Sequence, residues 1–472
     1  MDGNEKGRYL VNIELFQILE TATLRDALVK VESNHHGMIL AIDEKGSVTG
    51  LATDGDFRRK LLEGASLDDA IATCINRNFV WADMTCSREL LLKRLDQAIR
   101  IIPVLDKNRR LTGIVSRKEV PRLIEETVYA RARAPVRISF GGGGSDVTHY
   151  FSETDGAVLN TTISLYSHVT LRKRDDGEIR IHSRDLGESL VAASLREALL
   201  HNGRFGLIQS ILQTVNPEFG FDLLLQSDFP MNSGLGGSAV VSAAVLGCFN
   251  QFKQDRWDPH EVAELAFQAE RLYLGVAGGW QDQYATVFGG FNFMEFRMDQ
   301  NIVHPLRVNP DTLLELEGCL ILCDTGTTHD SGDIHQDQRQ QMRSDQVRDL
   351  VRANVQLCYE MRNDLLRGRL LQFGRSMDKA WHLKRQFSNK ISNKRLDEIY
   401  SGAMANGAIG GKVLGAGGGG FFLFYAHPFR KHELISHLET EGLKISPFRF
   451  ESKGLQAWTV RESRNHLESE IQ

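Results

Sequence analysis

Residues 227–252 read SDFPMNSGLGGSAVVSAAVLGCFNQF. A proline and a polar turn lead into Gly234-Leu235-Gly236-Gly237-Ser238, and small residues from Ala239 onward then follow as a helix. A loop that feeds a helix start gathers free backbone N–H groups and the positive end of the helix dipole, and both favour phosphate. Glycine lets the backbone come close to the anion. The stretch is not a Walker loop, because no lysine follows its last glycine and Ser238 is succeeded by Ala239.

Two more glycine clusters flank it at a distance, FGGGGSD (140–146) and GAGGGG (415–420). The first fails as a dinucleotide fingerprint, since a GxGxxG begun at Gly142 needs glycine where Val147 stands. A nicotinamide dehydrogenase is thereby set aside.

The surrounding composition is that of a globular chain. At 472 residues, with domains of about 100–200 residues being usual, two or three domains are expected. Hydrophobic residues make up 42% and charged residues 25%, which excludes wholesale disorder and collagen. Lys and Arg number 56 against 61 Asp and Glu, a net charge of −5, so no basic field draws the chain to nucleic acid or anionic lipid. No apolar run approaches the roughly 20 residues that span a bilayer. MDGNEKGRYL at the N-terminus has no secretion-signal core, and a cytoplasmic protein is expected. Cys74, Cys86, Cys248, Cys319, Cys323 and Cys358 form no CxxC pair. They read as reduced, packed residues, with Cys319 and Cys323 of CLILC on one strand face.

The first third contains a repeat. AIDEKGSVTGLATDGD (41–56) aligns with VLDKNRRLTGIVSRKE (104–119), matching Asp43 with Asp106, Thr49 with Thr112 and Gly50 with Gly113. Each copy reads as strand, turn, strand and helix start, with a helical segment upstream. This tandem unit, residues 5–127, resembles a CBS-domain pair. The resemblance implies an adenine nucleotide effector, a Thr53 and Asp56 ribose site echoed at Ser116 (with Glu119 where aspartate is usual), and a homo-oligomer formed through the pair. Without the ligand, Thr53 and Asp56 read as a helix cap. PRLIEETVYARAR (121–133) reads as helix carrying the chain to the next unit.

The second part, 131–462, resembles the GHMP kinases. RAPVRISF (133–140) with the glycine run and Ser145-Asp146 is similar to their first motif, residues 233–239 to the second, ATP-phosphate motif, and GKVLGAGGGGFFLFY (411–425) to the third. Within the family the wording is nearest to kinases acting on the anomeric hydroxyl of D-glycero-D-manno-heptose 7-phosphate, on RAPVRISFGGGGSD, WHLKRQFSNKISNKRLDEIY (381–400) and GAIGGKVLGAGGGG (407–420). L-fucose kinases share part of it. Two departures stand out: Thr328-His329-Asp330-Ser331, where a basic residue tends to follow the threonine, and the CBS-like pair in front.

The fold implied is α+β and two-lobed, with a mixed-sheet lobe (about 131–310) and a ferredoxin-like lobe (about 311–462) behind the CBS-pair module. The resemblance makes Asp282, in AERLYLGVAGGWQDQYATVFGG (269–290), the group facing the acceptor hydroxyl, with Arg137 beside it stabilising transferring charge. Gly234 to Ser238, including Leu235, Gly236 and Gly237, would hold the ATP phosphates, and Ser238 with Glu270 would hold Mg²⁺. Asp146, with Gly143, Gly144 and Ser145, would meet sugar hydroxyls, and Gly417, Gly418 and Gly419 would line the centre. Lys384 and Lys412, with Arg385 as a weaker candidate, would meet a phosphate on the substrate. His329, Asp330, Asp333 and His335 read as a mobile polar loop rather than a metal cluster. Product of such a kinase would feed nucleotide-activated heptose for surface polysaccharide. The alternatives are an L-fucose or other sugar 1-kinase and, from another class, a nucleotide-sensing regulatory protein with an inactive kinase half.

Overall fold

The computed structural model describes residues 13–83, 86–95, 99–117, 126–231, 233–327 and 331–463. The chain separates into two compact units, Met1–Thr127 with Glu462–Gln472, and Val128–Arg461. Among the described residues no helix is long and apolar enough to cross a membrane.

In the first unit each repeat builds a three-stranded sheet. The first holds β1 (Gln17–Leu19), α1 (Leu24–Asn34), β2 (Met38–Ile42), β3 (Val48–Thr53) and α2 (Asp54–Leu62); the second holds β4 (Ala82–Asp83), α3 (Arg88–Arg94), β5 (Ile101–Leu105) and β6 (Leu111–Ser116). The matched residues do matched work. Asp43 Oδ1 accepts from the N–H of Lys45 and Ser47, and Asp106 Oδ1 from that of Asn108 and Arg110, at 2.8–2.9 Å. Thr49 and Thr112 each donate to the facing strand, to Ala41 O and Val104 O. Apolar residues of both copies, among them Phe16, Leu40, Leu105 and Ile114, form one shared core. Thr53 caps α2 in a capping box: its hydroxyl donates to Asp56 Oδ2 at 2.6 Å, its N–H to the same oxygen at 2.9 Å, and Arg59 pairs with Asp56. Ser116 ends β6, and Glu119 lies outside the described residues.

The second unit opens on a strand where the sequence suggested helix. β7 (Glu126–Gly141) includes the TVYARAR segment, because Ala130, Ala132 and Ala134 are buried in alternation with Arg131 and Arg133. That period of two suits a strand and overrides helix propensity. Then come α4 (Thr148–Phe151), β8 (Gly156–Arg174), β9 (Ile179–Ser183), β10 (Glu188–Ala192), α5 (Leu195–Leu200), α6 (Gly206–Val215) and β11 (Gly220–Ser227). The phosphate-type loop leads into α7 (Gly237–Asn250), followed by α8 (Pro259–Phe267), a π-helical turn (Gln268–Tyr273) and α9 (Gln281–Phe288). With β12 (Phe291–Phe296) and β13 (Asn301–Pro305) the strands form a mixed sheet in the order β10-β9-β11-β8-β12-β13, β7 also pairing β8. Along that order, among the described residues, β9 and β11 run parallel and the other neighbours antiparallel. α7 is apolar nearly all round and is buried nearly all round, as Val240, Ala243, Ala244 and Phe249 illustrate.

The other lobe runs from α10 (Pro310–Cys319) through β14 (Leu320–Asp324), α11 (Ser331–Gln341), α12 (Asp345–Leu366), α13 (Leu370–Lys384), α14 (Lys394–Ala405), β15 (Ala408–Val413), β16 (Phe421–Ala426) and α15 (Lys431–Thr440) to β17 (Lys444–Ile445). Its antiparallel sheet has the order β15-β16-β14-β17, the ferredoxin-like arrangement. β18 (Phe450–Glu451) pairs β8 and β19 (Gln456–Ser463) pairs β7, so both strands belong to the large sheet rather than to this lobe. The six cysteines are free, and Cys319 closes α10 instead of lying on the strand with Cys323.

Candidate active site

β7 carries Arg137 to the point where α7 and α9 begin. Its guanidinium donates Nε to Asp282 Oδ1 at 2.7 Å and Nη2 to Oδ2 at 2.9 Å, and Nη1 donates to Gly234 O at 2.7 Å. Two parallel bonds fix the planes of both groups together. The Arg137 side chain is 4% exposed and that of Asp282 is 20% exposed, so the carboxylate keeps one open side. Gly236 shows why glycine is needed beside it. Its φ is +79°, and a Cβ there would come within 3.2 Å of the Asp282 carboxylate.

Ser238, in the first turn of α7, touches Glu270 Oε1 with its hydroxyl. Glu270 stands on the π-helical turn, a local widening of the helix that aims it inward. Gln283 Nε2 donates to its second oxygen at 2.7 Å, and Arg271 Nη1 lies 3.2 Å from its first. A hydroxyl and a carboxylate held together form an oxygen-only donor pair of the kind a hard cation takes. Arg271, which the sequence did not mark, also holds the 276–279 loop through Val276 O and Gly279 O.

Asp146 follows the first glycine cluster and is 3% exposed. Its carboxylate accepts from Gly144 N and Gln281 N. Burial, reinforced by the nearby charge of Asp282, raises its pKa above the usual range. α13 supplies Lys384 and β15 supplies Lys412, both buried. Lys384 donates to Gly415 O, and burial with Arg137 nearby lowers its pKa to about 8. Burial pushes Lys412 well below the lysine range, with Lys384 and Arg137 adding to the effect. Among the described residues neither lysine side chain forms an ion pair, and the Lys412 amine forms no hydrogen bond.

These groups line one cavity of about 410 Å³. Arg137, Gly143, Gly144, Asp146, Gly234, Gly236, Gly237, Ser238, Glu270, Asp282, Lys384 and Lys412 all reach it. An arm beyond the glycine loop is walled by Leu186, Leu207, Ile208, Leu225, Phe229 and Leu274, residues whose plain apolarity carries no signal in sequence.

Several sequence candidates do not reach the cavity. Leu235 is buried in the core and meets Arg137 only through its carbonyl. Ser145 is spent on Gly142 O of its own loop and on Ala157 of β8, whose N–H donates to its hydroxyl, and so clamps the loop to that strand. The third glycine cluster presents Gly415 and Ala416, whereas Gly417, Gly418 and Gly419 are absent from the lining. There a Cβ on Gly417 would lie 2.8 Å from Ile391 O, and Gly418 N donates to that same oxygen, so the tight turn packs on the protein itself. Arg385 pairs with Asp397 instead. Thr328, His329 and Asp330 lie outside the described residues, and Asp333 and His335 belong to helix α11 rather than a loop. Among the described residues no three His, Cys, Asp or Glu side chains are grouped to hold a metal.

Comparison with known proteins matches this geometry. Residues 204–290 fit the GHMP kinases N terminal domain, 361–442 the GHMP kinases C terminal domain, and 10–63 and 70–126 the CBS domain. The chain is 36% identical over 336 residues to the D-glycero-alpha-D-manno-heptose 7-phosphate kinase of Campylobacter jejuni, covering 70% of this chain and 99% of that one. It is 27% identical to the L-fucokinase/L-fucose-1-P guanylyltransferase of Bacteroides fragilis, spanning 72% of this chain and 39% of that protein. The crystal structure of a D-glycero-D-manno-heptose 1-phosphate kinase from Bacteroides thetaiotaomicron superposes with a TM-score of 0.59 at 29% identity, over 70% of this chain and 99% of that one. A bidentate Arg–Asp pair beside a glycine loop at a helix start, in two lobes that both fit the family, leads to one conclusion: the chain belongs to the GHMP kinases and carries a CBS pair at its N-terminal side.

Proposed function

We propose that the protein transfers the γ-phosphoryl group of ATP to the anomeric hydroxyl of a heptose that already bears a phosphate. The observation that carries this reading is the pair Lys384 and Lys412, two buried amines without a carboxylate partner in the cavity that holds Asp282. Burying cations without a counter-ion is costly, and an arriving phosphate would relieve that cost. The name of the relative from Campylobacter jejuni agrees with such an acceptor, and that of the Bacteroides thetaiotaomicron protein agrees with a phosphorylated heptose but not with a free anomeric hydroxyl.

In this reading the apolar arm takes the base of ATP, and the backbone of Gly234, Gly236 and Gly237 with the start of α7 takes its phosphates. Ser238 and Glu270 fit Mg²⁺, which when bound neutralises phosphate charge. Asp282 accepts a hydrogen bond from the acceptor hydroxyl on its open side while Arg137 holds its orientation. Because bond breaking to the leaving phosphate runs ahead in such transfers, positioning matters more than a strong base. Asp146 accepts from sugar hydroxyls. The CBS pair takes an adenine nucleotide and brings copies of the chain together, a proposal resting on the family alone; Thr53 and Asp56 would offer the ribose the acceptor capacity left over from their cap.

The test is ATP consumption by the full chain with heptose 7-phosphate, free heptose, L-fucose and other reducing sugars. Heptose 7-phosphate is expected to be turned over best. Preference for fucose or free heptose would overturn the acceptor assignment and leave the kinase assignment standing.

A further inference from the structure

α11 lines the cavity, and the reading above leaves it without a task. Gly332, His335 and Gln338 lie three residues apart, which puts them on one face of the helix, and all three line the cavity. The helix is held there from two sides. Gln338 Nε2 donates to Ala416 O at 3.1 Å, and the Ser388 hydroxyl donates to Asp337. His335 Nδ1 is buried and has no hydrogen-bond partner within the protein. Ser139 Oγ and Gln281 Oε1, which line the same cavity, are buried and unpartnered as well. Ser139 is close to Gly143, and Gln281 N bonds Asp146, so these orphans belong to the acceptor end rather than to the phosphate loop. Buried polar atoms without partners are rare in folded proteins and call for a ligand or water to complete them.

We infer that α11 is a specificity wall for the acceptor, with His335 hydrogen-bonding a sugar hydroxyl through Nδ1 in the cavity that Ser139 and Gln281 also line. The inference rests on the proposed reaction for the acceptor's chemical class, a polyhydroxylated sugar. Burial together with the charges of Arg271, Lys384 and Arg137 holds the His335 pKa down to about 4, with Asp282 opposing. The ring is therefore neutral at physiological pH. A neutral imidazole matches a hydroxyl, whereas the phosphate is matched by the lysines.

Steady-state kinetics of the full chain test this with His335→Phe, His335→Asn and His335→Gln, on heptose 7-phosphate and on free heptose. Asparagine sets a polar atom where Nδ1 stands, while glutamine reaches toward Nε2. His335→Phe is expected to raise the KM for both sugars about tenfold and to leave the KM for ATP within about twofold. His335→Asn should recover most of that loss and His335→Gln should not. Equal losses in the asparagine and phenylalanine variants, an equal rise in the KM for ATP, or a loss confined to the phosphorylated sugar would each overturn the inference. If His335→Phe does not fold, the contrast between asparagine and glutamine decides. If the wild type prefers an unphosphorylated sugar, the phosphate reading fails, and the same variants measured on that sugar still decide the role of His335. Turnover of no sugar overturns both.

Discussion

Arg137 and Asp282, 145 residues apart in the chain, are joined by two parallel hydrogen bonds of 2.7 and 2.9 Å, and the same guanidinium reaches the Gly234 carbonyl. One side chain thus sets the distance between the loop proposed for ATP phosphates and the carboxylate proposed for the acceptor. The arrangement spends only one lone pair on each carboxylate oxygen, which leaves Asp282 able to accept from a hydroxyl.

Asp282→Asn should keep ATP binding and lose turnover by about 10²–10⁴-fold. The shape is retained, but the charge is gone and an amide N–H is turned toward Arg137. ATP binding by calorimetry and initial rates check this, and near-normal turnover would refute the role of Asp282.

Gly279→Ala tests the placement of Asp146. A Cβ at Gly279 would stand 1.9 Å from Asp146 Oδ2, so the carboxylate must leave its bonds to Gly144 and Gln281. The KM for the acceptor should rise by about tenfold, the loss of roughly one well-placed hydrogen bond to a charged group. ATP binding should change little. Unchanged acceptor kinetics would remove Asp146 from the site.

Lys412→Met should stabilise the ligand-free enzyme by about 1–3 kcal/mol while impairing the use of a phosphorylated acceptor. The folded state holds this amine far less readily protonated than the unfolded chain does. Where the two differ, the unfolded state binds the extra proton, so stability rises with pH across that window and the penalty is present below it. Methionine fills a similar volume without that penalty. Denaturant titration at neutral pH without ligands gives the sign, and a destabilised variant would contradict it.

The pH profile should report Lys384. Its pKa in the free enzyme is lowered to about 8, so kcat/KM for heptose 7-phosphate should fall as pH rises through about 8 and the ammonium is lost. A sugar phosphate is already a dianion in that range, which assigns the fall to the enzyme. Free heptose should show a shallower decline. Parallel profiles for the two sugars would detach Lys384 from the phosphate.

The second prediction and the inference about α11 differ in how each could have been found. Gly279 and Asp146 stand in glycine-rich wording that is legible because close approaches of backbone to charge tolerate few residue types. The strand character of 126–133 was only faintly written, because alanine and arginine favour helix and their alternation from Ala130 to Ala134 is short, and pairing with β8 decided it.

By itself the sequence determined the repeat and the three glycine clusters with their order, whereas its resemblance to a kinase family supplied the candidates Arg137, Ser238, Glu270 and Asp282. Local chemistry explains this: a phosphate loop, a capping turn or a left-handed glycine constrains residues within a few positions of one another. Which face each element shows to the cavity was decided by tertiary structure. Lys384 on α13, Lys412 on β15 and His335 on α11 converge through sheet pairing and helix packing between distant segments, and so does the apolar arm. The same packing turned Gly417 and Gly418 toward Ile391 and spent Ser145 on Gly142 and on Ala157 of β8. Side chains with ordinary identities acquire function from burial and from the partners they are denied, and both are set by contacts that no local stretch of sequence contains.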